Sequence, residues 1–470
     1  MDESFTMITE KRCDMKNQFG KSLRSQMERA GIKESELADA LSYDATYISK
    51  WINGSKLPSE RNAERIIGQM ADCFAERTDV PDEGEREAQR QQCQAELKMA
   101  YASDRSYLIF QNYNNNAMSF ADDRHTLIEL TRAAFVQAMD LYDGHVSITA
   151  TFDLFRLYGK EFRSLMKELR DAGVHKIELS LALEPEGLST DYNYYAAVII
   201  DTIGSFDYIE MSIVCRKPEQ PSILVINDLL CLQVLWSVGG EISAVFSMEH
   251  SIISRFASVC QQIAEAGEKL LDPAEPESLR RTNVQLDSYS DRRQWQFFNE
   301  PPAMLFPGEI MDIFIAQAED ESYARYLVKL KNVFAKRTCK ARIDLVLYSS
   351  MLNEYLANGN ISVGNVSHHL TPEQTRIHLT YLSQVMSENP DVRLYVIRDT
   401  VVLSEELRRA PSIFLDTYSL NIENSKKKPN DNYHISMDPR MRGAFEQFFE
   451  KMLQKPFCNR LTAEDVLRYL

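Results

Sequence analysis

Apolar residues recur in steps of three and four through the first part of the chain, and that spacing predicts short helices. Phe19, Leu23 and Met27 fall on one helical face, and Gly31 closes this helix, because the position after a helix C-terminus often needs positive φ. A second helix is predicted from Ser35 to Leu41, with Leu37, Ala38 and Leu41 inward. Ser42-Tyr43-Asp44 reads as a turn, with Asp44 placed to cap a third helix by accepting the backbone N–H of Thr46 or Tyr47. That helix runs to about Asn53 with Ile48 and Trp51 inward; Asn53-Gly54 stops it, and Pro58 keeps the loop from continuing as helix.

The pattern then changes twice. Residues 76–100 are highly charged and contain Pro81 and Gly84, which predicts a linker and then a polar spacer helix from about Asp82 to Ala102. Gln111 to Ser119, with four asparagines, reads as a loop. From Leu127 onward, helical periods alternate with β-branched, alternating runs. Helices are predicted in 123–144 and 160–174 and strands in 145–155 and 175–185. Further strands are predicted in 193–204, 206–216, 221–228, 229–238 and 241–248, before a closing helix in 249–271. Residues 272–308, with Pro273, Pro276, Pro301, Pro302 and Pro307, read as an irregular connection at a domain boundary. The alternation then returns: helix 321–337, strand 341–352, helix 371–391, strands 392–402, 411–425 and 432–438, and helix 439–455.

The expected fold class is multidomain: an all-α helix-turn-helix domain (17–74), a charged linker helix (75–104), and a large α/β body of two halves (105–271 and 309–470) joined by 272–308. Pro221-Ser222-Ile223-Leu224 has a counterpart in Pro411-Ser412-Ile413-Phe414, and the following strands end at Met248 and Met437, 27 and 26 residues on. The halves are either a duplication or two α/β segments with the same grammar.

Two resemblances follow from these residues. Leu37-Ala38-x-x-Leu41, then Tyr47-Ile48-Ser49-Lys50-Trp51, then Asn53-Gly54 and Pro58-Ser59, resembles the Cro and phage-repressor family of DNA-binding domains over residues 17 to about 74. In that arrangement the second helix of the pair lies in the DNA major groove. The resemblance implies that Ala45, Thr46, Tyr47, Ser49 and Lys50 lie near bases or their flanking phosphates, and Asn53, Lys56 and Arg61 near phosphates. Glu34 departs from the family, whose members often have Gln at the start of the second helix; a carboxylate there repels phosphate unless it turns away as a capping group. The order of elements over about 105–455 resembles the phospholipase D-like fold. That family's His-x-Lys-x-x-x-x-Asp motif is missing from both halves: His175-Lys176 is adjacent rather than spaced, and His434 is followed by Ile-Ser-Met-Asp. The resemblance therefore implies a non-catalytic body of the kind some bacterial and archaeal regulators use for ligand sensing and dimerisation.

Charge sharpens this reading. The net charge is -16, yet Lys16 to Ala75 holds nine basic and eight acidic residues, a balance of +1 that leaves -17 for the rest. An acidic body limits nonspecific adhesion while a small basic face stays free for DNA. Eight cysteines, at 13, 73, 93, 215, 231, 260, 339 and 458, have neither C-x-x-C nor disulfide-framework spacing and read as buried free thiols. The polar N-terminus is not a signal peptide and no apolar run is long enough to span a bilayer, so the expected location is cytoplasmic, without membrane association.

Candidate chemistry is sparse. No G-x-x-x-x-G-K-[ST] loop, G-x-G-x-x-G after a strand, G-x-S-x-G elbow or H-E-x-x-H is present, and Gly204 and Gly239-Gly240 read as turns. His368, His369 and His378 read as surface or core histidines before a metal site. Tyr192, Tyr194, Tyr195, Phe206 and Tyr208 suit sheet packing or a pocket between strands, and Lys426-Lys427-Lys428 reads as a solvated turn. The expectation is a sequence-specific DNA-binding transcriptional regulator: not an enzyme, without cofactor or metal. It would be a homodimer on a pseudo-palindromic operator in double-stranded DNA, with a small-molecule or protein effector. The alternatives are an antitoxin or phage-immunity interaction protein, and an effector enzyme with an autoregulatory DNA-binding domain.

Overall fold

The computed structural model describes residues 16–78, 82–113, 117–171, 173–206, 208–237, 241–274, 293–298, 306–337, 342–363, 366–397, 412–423 and 433–468. Gly239-Gly240, Lys426-Lys427-Lys428 and most of the 272–308 connection lie outside these residues.

Among the described residues five helices come first: α1 Gln18–Ala30, α2 Glu34–Leu41, α3 Ala45–Ile52, α4 Glu60–Arg77 and α5 Glu83–Tyr113. Phe19, Leu23 and Met27 of α1, Leu37, Ala38 and Leu41 of α2, and Ile48, Trp51 and Ile52 of α3 share one core with Ile66, Ile67, Met70 and Phe74 of α4. Gly31 closes α1 at φ 63°, and Ser42 ends α2 in the left-handed region at φ 56°. The charged helix α5 does more than connect. Its Cys93 and Leu97 are buried in the same core, and its later turns pack on α6, Arg124–Leu141.

The chain folds as two compact units, residues up to 179 with 219–265, and residues 180–218 with 266–470. In chain order the strands are β1 Ser119–Ala121, β2 His145–Ala150, β3 Lys176–Leu183, β4 Ile209–Cys215, β5 Ile223–Ile226, β6 Leu230–Trp236, β7 Ile242–Ser247 and β8 Lys269–Ala274. After them come β9 Arg293–Phe298, β10 Arg342–Tyr348, β11 Asn360–Val363, β12 Val366–His369, β13 Val392–Ile397, β14 Ser412–Asp416, β15 Leu420–Glu423, β16 Tyr433–Ser436 and β17 Cys458–Leu461. In the first unit the strand order is β1-β7-β6-β5-β2-β3, with an antiparallel β5-β6-β7 meander set against β2. In the second unit it is β4-β8-β16-β15-β14-β9-β10-β13-β17, with β9, β10 and β13 parallel and an antiparallel β14-β15-β16 meander set against β9. Meander, then strand, then strand is thus an order that occurs in both.

Several readings of the chain are corrected, among them Gly204, which lies buried inside a helix rather than at a turn. The stretch 193–204 is not a strand but helix α7, Tyr192–Ser205. Its buried Tyr195, Ala196, Ile199, Ile200 and Ile203 follow the helical period, which outweighs the β-branched composition. The stretch 411–425 holds a hairpin rather than one strand, because the Asp416 carboxylate accepts the N–H groups of Tyr418 at 2.6 Å and Ser419 at 2.7 Å and so builds a turn. Inside the stretch read as irregular, Arg293–Phe298 is strand β9, buried between β10 and β14.

Candidate nucleic-acid interface

Helix α3 divides cleanly into two faces. Ile48, Trp51 and Ile52 are buried, Ser49 is half-buried, and Ala45, Thr46, Tyr47 and Lys50 are exposed. Asp44 caps the helix as its position in the sequence requires, accepting the Thr46 N–H at 2.8 Å and also the Thr46 hydroxyl. The hydroxyl bond, then the backbone bond, hold the Asp44 carboxyl below its ordinary range. The Thr46 hydroxyl proton is thereby committed to the cap.

Tyr47 is the centre of the exposed face. Its ring, 40% exposed, lies 6.0 Å from Tyr43 and 6.5 Å from Trp51. The Lys50 and Lys56 ammonium groups sit 5.6 Å and 5.1 Å from its centroid. Cation–π attraction at an exposed ring is about 0.5–1 kcal/mol, enough to bias two lysines toward one place. Lys56 reaches that place because the chain turns back after α3. Gly54 adopts φ 72°, the Asn53 side chain accepts Ser55 N–H at 3.0 Å, and Lys56 N–H donates to the Lys50 carbonyl at 3.3 Å. Arg61 is exposed on the first turn of α4 and is not part of the Tyr47 cluster. Among the described residues, Lys50, Lys56 and Arg61 form no salt bridge.

Glu34 is exposed at the start of α2 and is not the capping group. Glu36 takes that role, accepting Lys33 N–H at 2.9 Å. Two carboxylates in the first turn favour α2 through its dipole, which accounts for acid at this position.

The residues that hold α3 in place were not legible, because most lie far along the chain. Asn17 donates its side-chain N–H to the Ile52 carbonyl at 3.1 Å. Gly20 lets α1 cross α3 closely: a Cβ there would sit 2.2 Å from the Ile52 oxygen. From α5, Tyr101 donates to the Pro58 carbonyl at 3.0 Å, Lys98 pairs with Glu64 at 3.1 Å, and Gln26 of α1 donates to Glu96 at 2.6 Å. Partners 34 to 70 residues apart leave no local signature.

The remaining candidates have structural partners. His378 bonds Tyr355 at 2.5 Å, His368 bonds Tyr323 at 2.8 Å, and His369 bonds Asn360 at 3.2 Å. Among the described residues no group of three His, Cys, Asp or Glu is placed to hold a metal ion. His434 is buried and its Nε2 accepts Met211 N–H at 3.0 Å. Tyr192, Tyr194 and Tyr195 belong to helix α7, with Lys451 at 5.7 Å from the Tyr192 ring, and Phe206 and Tyr208 pack on each other at 5.8 Å.

Cap, turn, core and the two-faced third helix define a helix-turn-helix unit. Residues 23–69 match the helix-turn-helix family model, and the segment is of the Cro and phage-repressor type. By structure, the chain is similar to a phosphatidylserine synthase from Haemophilus influenzae Rd KW20, at 11% identity over 76% of this chain and 92% of that one, with a TM-score of 0.26. It is also similar to TrmBL2, an archaeal chromatin protein whose structure shows a novel mode of DNA binding, at 14% identity over 51% of this chain and 88% of that one, with a TM-score of 0.25. TM-scores this low do not define a shared fold for the body. Comparison with curated protein sequences finds no match. Among the described residues, no helix is long and apolar enough to cross a membrane.

Proposed function

We propose that this protein is a DNA-binding transcriptional regulator whose helix α3 reads the major groove. The observation that carries the reading is the convergence of Lys50 and Lys56 on the exposed Tyr47 ring, on a helix whose other face is buried in a helix-turn-helix core. Tyr47 and Thr46 would face bases, while Lys50, Lys56, Asn53 and Arg61 would meet phosphates. The α/β body would pair two copies, so that two α3 helices about 34 Å apart meet a pseudo-palindromic operator. An effector bound to the body would shift affinity by favouring one spacing of those helices. The reaction role is none: the body would sense and dimerise rather than catalyse.

The test is selection of DNA fragments by the full chain. Enrichment of a defined site, lost on combined Lys50→Ala and Lys56→Ala substitution, supports the reading. Selection of no site above background, with folded protein, rejects it.

A further inference from the structure

Three consecutive residues on α5 each grip a different place. The Ser103 hydroxyl donates to the Asp140 carboxylate on α6 at 2.9 Å. Asp104, only 6% exposed, turns its carboxylate to the first N–H groups of α1, Gln18 at 2.8 Å and Phe19 at 2.9 Å. The Arg105 guanidinium pairs with Glu60 on α4 at 2.7 Å and with Glu129 on α6 at 2.5 Å. One turn of helix thus holds the recognition bundle and the first helix of the α/β body together.

Asp104 stands in the place of an ordinary N-cap. Residue 17, which would normally cap α1, is in the left-handed region at φ 64° and makes no cap bond of its own. The first free N–H groups of α1 are instead satisfied from α5, 85 and 86 residues away. Charge-assisted bonds at a helix N-terminus are among the stronger kinds. Released from capping, Asn17 spends its side-chain amide on the Ile52 carbonyl, an otherwise orphaned acceptor at the C-terminus of α3. Next to it, Gly20 brings the α1 backbone against the same carbonyl. The bonds therefore run from α6 through Ser103 and Asp104 to the start of α1, and from Asn17 to the end of α3.

We infer that Asp104 is a positioning residue through which the α/β body sets the orientation of helix α3. The inference rests on α3 being the DNA-reading helix, but its structural part can be measured without DNA. Asp104→Asn keeps the shape and removes the charge and one acceptor. Asn17→Ala cuts the other end of the path and leaves the Asp104 carboxylate in place.

The experiment is hydrogen exchange on the full chain, with site binding measured in parallel on the selected fragment. Each single variant is expected to speed exchange in the peptide covering residues 45–52 by roughly tenfold, with the strands of the second unit unchanged. The double variant is expected to be no worse than the poorer single one, since both cut one path. Affinity is expected to fall about tenfold with the salt dependence of binding unchanged, because no phosphate contact is removed. Wild-type exchange in 45–52 for Asp104→Asn, or effects of the two substitutions that simply multiply, would overturn the inference. If the wild-type chain selects no DNA, the proposed function fails, while the exchange data still decide whether Asp104 holds α3.

Discussion

Tyr47 sits where two effects meet. Its ring packs edge-on against Tyr43 and draws in two ammonium groups, so one side chain both rests on the core and organises the charge in front of it. This predicts different consequences for neighbouring substitutions. Thr46→Ala or Tyr47→Ala should change which bases are preferred, seen by repeating site selection with the variants. Lys56→Ala or Arg61→Ala should weaken binding evenly across sequences and reduce the slope of log affinity against log salt by about 1 each. A second prediction concerns buried imidazoles. Burial pushes His378 down to about 3 and His434 down to about 4, from an ordinary 6.5. Below pH 6.5 the unfolded chain binds protons that the folded chain refuses, so these groups' contribution to stability falls as the pH drops toward 4. Each histidine adds at most about 1.4 kcal/mol per pH unit to that slope. Urea unfolding at pH 6.5, 5.5 and 4.5 should show a falling midpoint, and His378→Gln should flatten the fall.

At the scale of elements, what could be read along the chain was what depended on near neighbours. Gly31, Asp44, Asn53-Gly54 and the inward residues of α1 to α3 all act within a few positions, and the structure places them as the spacing predicts. The exposed face of α3 was legible for the same reason. Helix α5 was legible as a helix from about Asp82, but its packing was not: two apolar residues, Cys93 and Leu97, bury it in the bundle, and polar groups on it do the rest by pairing across long stretches of chain. Helix α7 misled because it is rich in Tyr and Ile, which fit strands as well, and only its burial period separates the two. Gly20 shows how local identity can hide a tertiary demand: it looks like any helical glycine, yet α3 leaves no room for a methyl group. Gly20→Ala should destabilise the bundle by about 2 kcal/mol, as overpacking commonly does, or force α1 and α3 apart. Trp51 fluorescence during denaturant unfolding would report it, and an unchanged midpoint would contradict the close crossing. Trp51→Ala, which empties a fully packed site, should cost about 3–5 kcal/mol, read by far-ultraviolet circular dichroism during denaturant unfolding because the substitution removes the fluorophore.

At the scale of the whole molecule, charge and connection fit one account. The bundle is nearly neutral while the rest carries -17, a balance that, on the proposed reading, leaves the small exposed face of α3 as the place where DNA is attracted. The bundle is also held, through α5, to the first helix of the α/β body. A body that pairs two copies could then fix the spacing of two α3 helices. The most direct measurement is footprinting of the best fragment the full chain selects, in wild-type and Lys50→Ala/Lys56→Ala forms. The account predicts protection of two related half-sites one helical turn apart, about 10–10.5 base pairs centre to centre, and its loss in the double variant. Protection of the same site at wild-type affinity and salt dependence after the loss of both lysines would contradict it, because the charge that α3 and its following turn bring to the backbone would then do nothing.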